Sequence, residues 1–254
     1  MRAYFAFTKK EFLEAFRTYK LPILAAVFIL LGIMNPLTAK LTPQLLKSFM
    51  PEGMLITIPE PTAIDSWAQF FKNVNQMGLI VTVIMFSGIM ATEFSKGTLI
   101  IVLTKGLKRS SVILSKFTVA AVLWTLSLSI CFAVSYGYTV YFWNGDGLLK
   151  ILFAVLCLWL FGVMLMSVLL LGGVILKNSY GSLLFVVGTT VVMFLLNIIP
   201  DVKKHNPLLL ITGNMDLISG KLTVSDFTSP ILIGIVLLLT MLITTVQLFN
   251  KKHI

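Results

Sequence analysis

Charged side chains are scarce in this sequence. Lys, Arg, Asp and Glu make up 12% of its 254 residues, whereas a soluble domain carries about 25%. Hydrophobic residues make up 57% and the mean hydropathy is +0.97. The apolar residues are collected in runs of about 20, the length that an α-helix needs to cross a hydrocarbon core of ~30 Å. This pattern excludes a soluble domain and predicts an all-α polytopic membrane protein.

Cysteine and histidine are also nearly absent. The two cysteines, Cys131 and Cys157, lie inside apolar runs, so we expect neither a disulfide framework nor a C-x-x-C site. His205 and His253 each stand alone and do not form a set of metal ligands. We therefore predict that the chain itself binds no metal and no cofactor.

The motifs of an energy source or a reaction centre are missing. The chain has no G-x-x-x-x-G-K-[ST] loop, since Gly106 is followed by Leu-Lys-Arg-Ser without the second Gly-Lys pair that would cradle phosphates. It has no G-x-S-x-G or H-E-x-x-H pattern either. We predict no catalytic residue and no enzyme activity in this chain, so any uphill reaction must draw its energy from another polypeptide.

Six apolar runs are predicted to cross the membrane. Asn35-Pro36 is expected to break the first run late, and Ser229-Pro230 to supply the N-cap and first residue of the last helix. Ionisable residues are essentially missing from the runs, except for Glu93 at the end of the second, which argues against proton relays, Na⁺-coupled carboxylate sites and voltage sensors. The runs cover residues 21–38, 74–92, 117–140, 149–176, 181–199 and 230–249.

Two long segments between the runs carry apolar residues of their own. Within residues 39–73, the stretch "AIDSWAQFFKN" predicts a short interfacial helix anchored by Trp67, Phe70 and Phe71. Residues 200–229 contain "PLLLIT", which is too short to span and too apolar to lie in water. We predict that residues 200–229 form an external re-entrant or interfacial segment.

The distribution of cations predicts the orientation. Thirteen of the twenty Lys and Arg residues, but three of the ten acidic residues, fall on the side that holds both termini and the loop 93–116. The positive-inside rule makes that side cytoplasmic, and a bacterial plasma membrane is expected. Anionic lipid accounts for the basic charge, so nucleic acid is not expected as a partner. A cleaved signal peptide is disfavoured because no A-x-A-like site follows the first run.

Residues 1–20 are predicted to form an amphipathic interface helix before the first span. Four aromatic residues fall within one narrow helical arc, with charged residues opposite. A membrane anchor and a docking surface for a cytoplasmic partner both fit this pattern. The arc consists of Phe5, Phe12, Phe16 and Tyr19.

The loop 93–116 is basic and is interrupted by two glycines. Glu93, Gly97 and Thr98 give the pattern E-x-x-x-G-T, followed by an apolar stretch and the basic run "TKGLKRSSVILSK". Gly106 can redirect the chain, and Ser110 or Ser111 is expected to N-cap a helix running through Lys116 into the third span.

With "EFSKGTL", "KRSSVILSKF", the N-terminal helix and the long segment before the sixth run, the chain resembles the ABC-2 type transporter permeases. The resemblance implies the membrane subunit of an ABC exporter, with a coupling helix in residues 93–116 that contacts a separate cytoplasmic ATPase. ATP and Mg²⁺ would bind that ATPase, and a second permease subunit, identical or related, would complete the pathway. The coupling residues implied by the resemblance are Glu93, Gly97, Thr98, Lys105, Lys108, Arg109 and Lys116.

One feature departs from the family pattern: Gly106 stands where the family commonly has Pro.

An amphipathic or hydrophobic substrate such as a peptide suits the uncharged spans, with 19 Phe and 12 Met, better than a bare ion does. A membrane scaffold or sensor without transport activity is the alternative.

Overall fold

The computed structural model describes residues 2–49, 60–97, 104, 106–143 and 148–251. Within these residues the chain is helical and contains no strand. Six helices are long and apolar enough to cross a membrane: Lys20–Gln44, Ala63–Ser95, Arg109–Phe142, Leu148–Leu176, Ser179–Leu196 and Val224–Lys251. The prediction of an all-α polytopic membrane protein with six transmembrane helices is therefore confirmed.

The helices are numbered in chain order. They are α1 Arg2–Arg17, α2 Lys20–Phe49, α3 Ala63–Asn73, a π-helical turn Val74–Gly78, α4 Leu79–Phe86, α5 Ala91–Lys96, α6 Arg109–Phe142, α7 Leu148–Leu176, α8 Ser179–Leu196, α9 Pro200–Lys203, α10 Leu209–Thr212, α11 Asn214–Ile218, a 3₁₀ turn Val224–Phe227 and α12 Thr228–Lys251.

Helix α7 forms the centre of the bundle, and α6, α8 and α12 pack around it. Small residues allow the close approach: a Cβ on Gly162 would lie 2.4 Å from the ring of Trp124 in α6. The Trp124 indole also donates a hydrogen bond to the Trp159 carbonyl at 3.1 Å. On the other side of α6, α2 and α3 complete the core.

The first span does not break at Asn35-Pro36, contrary to the expectation. Helix α2 continues through Pro36 and Pro43. Pro36 has no N–H to bond the carbonyl of Gly32 four residues earlier, but the Ser135 hydroxyl of α6 donates to that carbonyl at 2.9 Å. Asn35 is fully buried and donates to Ser135 at 3.1 Å. Helix α6 thus supplies the hydrogen bond that the Gly32 carbonyl cannot receive from Pro36.

The stretch 63–73 does not form a separate short helix anchored by its aromatic residues, so that part of its prediction was wrong. It forms α3, which continues through the π-helical turn into α4, so the second span covers Ala63–Ser95. Trp67, Phe70 and Phe71 are at most 3% exposed, and the Trp67 ring packs on Phe132 of α6 with centroids 5.6 Å apart. These aromatic residues belong to the core.

The starts of two spans also differ from the prediction. Helix α6 begins at Arg109 with Lys108 as its N-cap, although it does run through Lys116 as predicted. The last span begins before Ser229, at the 3₁₀ turn that Thr223 and Asp226 close with a capping box. The Ser229 hydroxyl instead lies 2.6 Å from the His205 ring.

The "PLLLIT" run forms the short helix α10, which packs with α11 against α7. Leu208, Leu210 and Leu217 are at most 1% exposed. The apolar residues of this segment therefore fill the core of the bundle.

Candidate functional site

Helix α1 lies across the start of α6. Phe7, Glu11 and Ala15, spaced four residues apart, are buried on one face of α1. Next to them, the Tyr4 and Thr118 hydroxyls are 2.8 Å apart. The positive φ of 59° at Tyr19 lets the chain turn from α1 into α2. This packing brings the acidic side chain of α1 to the base of the loop 93–116.

Five charged residues form what is called here the charge cluster: Lys10, Glu11, Glu14, Glu93 and Lys116. At its centre, the Lys116 ammonium lies 2.8 Å from Glu11 Oε2 and 3.0 Å from Glu93 Oε1. The side chains of Lys116, Glu93 and Glu11 are 3%, 6% and 8% exposed. Because these groups have lost most of their hydration, each depends on its partners for compensation.

Lys10 covers the outer side of the charge cluster. Its ammonium lies 3.0 Å from Glu11, 2.7 Å from Glu14 and 3.4 Å from Glu93. Partial burial lowers the pKa of Lys10, but the hydrogen bonds to Glu14 and Glu11 and the charge of Glu93 outweigh it, so the pKa is raised overall. Lys10 therefore stays protonated throughout the physiological range.

The three carboxylates of the cluster are close enough to suit a metal ion, with oxygen atoms within 4.8 Å of one another. The Lys10 ammonium contacts all three and lies where such an ion would bind. The adjoining cleft has a volume of about 30 Å³, which accommodates water but no organic substrate. The arrangement is an ion-pair network that joins helices.

Arg109 joins the start of α6 to the end of α12. Its Nη1 donates to the Phe249 carbonyl at 2.8 Å, where the C-terminus of α12 favours a cation. The Phe249 ring lies edge-on to Phe94, with centroids 6.2 Å apart, and the Lys177 ammonium lies 5.8 Å from the Phe94 centroid. The N-terminal helix, the ends of the loop 93–116, the turn after α7 and the end of α12 thus meet at one end of the bundle, the cluster end.

The structure brings together some of the predicted coupling residues and separates others. Glu93 and Lys116 form an ion pair at the base of the loop, while Lys108 is exposed at the tip of α6. Arg109 and Lys116 also have partners within the chain, and their role in coupling stays a prediction. Thr98 and Lys105 lie outside the described residues.

Gly97 ends α5 in a left-handed conformation with φ of 64°. A Cβ at this position would meet no described atom within 4 Å. Glycine is favoured here because other L-residues are strained at this φ.

The aromatic arc predicted for the N-terminal helix points away from the bundle, although Tyr19 lies in the turn after α1 and not in the helix. Phe5, Phe12, Phe16 and Tyr19 are 65%, 36%, 57% and 69% exposed. Helix α1 therefore has three sides: a buried side against α6, the aromatic arc, and a side carrying Lys10 and Glu14. Placement of the arc in lipid stays a prediction.

Sequence reasoning missed Glu11, which holds α1 to Lys116. The available signal was weak: Glu11 interrupts the buried side set by Phe7 and Ala15, and so places a carboxylate where the helix needs an apolar residue. Nothing in the order of residues pairs it with a lysine 105 positions later.

No family model matches the chain. It is similar to the uncharacterized transmembrane protein YxlG of Bacillus subtilis (strain 168), with 24% identity over 144 residues, or 56% of this chain and 54% of that protein. The chain thus spans about half the length of this curated relative. The similarity and the six apolar helices together identify the chain as an integral, multi-pass membrane protein.

Proposed function

We propose that the chain is the membrane subunit of an ABC-2 type exporter, driven by a separate cytoplasmic ATPase that binds ATP and Mg²⁺. The observation that carries the proposal is the ion pair of Glu93 and Lys116, which closes the loop 93–116 at its base. Glu11 adds α1 to the same joint through its 2.8 Å contact with Lys116.

This geometry favours transmission of movement from the loop to the spans. A partner that pushes on the loop acts on α5 and α6 together, because a buried ion pair holds the two ends of the loop. Separating the pair would leave buried charges without compensation, so the base resists opening under load. Displacement of the loop then moves the second and third spans together with α1.

The proposed orientation places the cluster end in the cytoplasm of a bacterium, with both termini inside. The cation bias of the sequence supports this orientation through the positive-inside rule. The aromatic arc of α1 then lies among lipid headgroups, with Lys10 and Glu14 towards water. A second permease subunit completes the pathway, and the uncharged spans favour an amphipathic or hydrophobic substrate such as a peptide.

Co-expression with an ABC ATPase encoded by a neighbouring reading frame tests the proposal. We expect a stable complex whose ATP hydrolysis in lipid nanodiscs responds to substrate, and no hydrolysis by the purified chain alone. If no such ATPase associates with the wild-type chain, the exporter proposal fails and the scaffold or sensor alternative replaces it.

A charge reversal localises the contact. Lys108→Glu changes an exposed residue at the start of α6 and should weaken binding of the ATPase. The matched control is Lys150→Glu, which changes an exposed lysine at the start of α7 and should leave binding unchanged. Equal binding by both variants would contradict docking at the cluster end.

A further inference from the structure

A second polar site lies in the second span, at the π-helical turn Val74–Gly78. The Leu79 N–H bonds the Val74 carbonyl, so this turn has one residue more than a regular α-helical turn. Such turns persist where surrounding contacts hold them, often at functional sites. Here the contact is made by Asn75, whose Nδ2 donates to the Ile211 carbonyl of α10 at 2.8 Å.

Asn214 shares that carbonyl. At the start of α11, its Nδ2 donates to the same Ile211 oxygen at 3.3 Å. A carbonyl can only accept, so both amides must present their nitrogen to it, and the orientation of each side chain is fixed. Three elements therefore converge on one oxygen: the π-helical turn, α10 and α11.

The oxygen atoms of these two amides are buried and have no hydrogen-bond partner among the described residues. The Asn214 side chain is 1% exposed. Asn206, by contrast, is satisfied at both ends: its Nδ2 donates to the Met193 carbonyl at 2.7 Å, and its Oδ1 accepts from the Leu208 N–H at 3.1 Å. A buried amide in this bundle can thus find protein partners for both its nitrogen and its oxygen. Asn75 and Asn214 differ, because only their nitrogen atoms have such a partner within the part of the chain that the structure describes.

We propose that Asn75 Oδ1 and Asn214 Oδ1 form a binding site for a small hydrogen-bond donor inside the bundle. Both amide oxygens can only accept hydrogen bonds, so they offer nothing to an anion, and a neutral donor fits them. Water has two hydrogens and suits the pair. A hydroxyl or amide N–H of a bound compound offers the same chemistry.

The site makes a solvated joint between the second span and the segment Leu209–Ile218. Contacts that pass through a bound donor can be exchanged without leaving the protein groups unsatisfied. The direct hydrogen bond of Asn75 to Ile211 and the bound donor then together connect the second span to α10 and α11 at the π-helical turn. This inference does not depend on the identity of the ATPase partner.

Electron cryo-microscopy of the full chain in nanodiscs, at a resolution that shows ordered water and with no compound added, tests the site. We expect density within hydrogen-bonding distance of both oxygens. Spherical density indicates water. Extended density together with a co-purified compound in native mass spectrometry indicates a larger donor. The proposal is overturned if the oxygens accept from protein donors, or if no density lies beside them.

Hydroxyl-radical labelling by pulsed X-ray radiolysis provides a second measurement, because radicals form at bound water. We expect Met215, next to Asn214, to be oxidised more slowly in Asn214→Leu than in the wild type. Asn206→Leu is the matched control and should leave the oxidation of Met215 unchanged. An unchanged rate in a folded Asn214→Leu protein contradicts the water form of the site, and the density then decides whether a larger donor occupies it.

Discussion

Replacing Lys116 by methionine should destabilise the protein strongly. The substitution keeps an unbranched apolar stem but removes the ammonium group between Glu11 and Glu93, which are 8% and 6% exposed. Loss of one partner of a buried pair costs about 3–5 kcal/mol. Lys10 still contacts both carboxylates at 3.0 and 3.4 Å, so we expect the lower end, about 3 kcal/mol. For a chain of this size that corresponds to a fall in Tm of roughly 6–12 °C.

Thermal unfolding in one detergent, followed by loss of the monodisperse peak, measures the change. Lys108→Met is the matched control, because this lysine is exposed and surface changes cost within about 0.5 kcal/mol. The triple variant Lys116→Met, Glu11→Gln, Glu93→Gln should recover most of the loss, since no buried charge is left without compensation. A Tm for Lys116→Met at or near that of the wild type would refute the assignment of the charge cluster as a buried joint.

Three further changes test other contacts. Ser135→Ala removes the donor to the Gly32 carbonyl and should cost about 1–3 kcal/mol; an unchanged Tm would contradict its role at the proline. Gly97→Ala should cost about 1 kcal/mol through backbone strain, and Gly97→Asn less, since Asn tolerates a left-handed φ; equal unfolding energies would argue against strain. In a cysteine-free background, an impermeant thiol reagent added to intact cells should label Thr62→Cys and not Ser95→Cys, and the reverse pattern would invert the proposed orientation.

The six spans could be predicted from the sequence because hydrophobic length alone determines where a helix can cross a bilayer. Their ends depend on contacts that a local pattern does not contain. Pro36 continues within a helix because Ser135, 99 positions later in the chain, satisfies the Gly32 carbonyl. Trp67, Phe70 and Phe71 were expected to anchor α3 at the interface, whereas they pack into the core.

Only part of the candidate site could be predicted from the sequence. Glu93 and Lys116 stand out as charges at the edges of apolar runs, and both belong to the charge cluster. Glu11 joins them because α1 folds back across α6, and that packing follows from the tertiary arrangement. The sequence also does not show which cations have partners within the chain: Arg109 binds the end of α12, a contact that its position in the loop did not indicate.

The Arg109 contact has a consequence for the order in which the protein is assembled. Synthesis proceeds from the N-terminus, so α1, α5 and α6 are present long before the last helix. Their charge cluster can form early, but the Phe249 carbonyl that accepts from Arg109 reaches its place only after α12 has entered the bilayer. The cluster end is therefore completed only after α12 has been made, and a chain truncated before residue 249 would carry the charge cluster without the Arg109 contact.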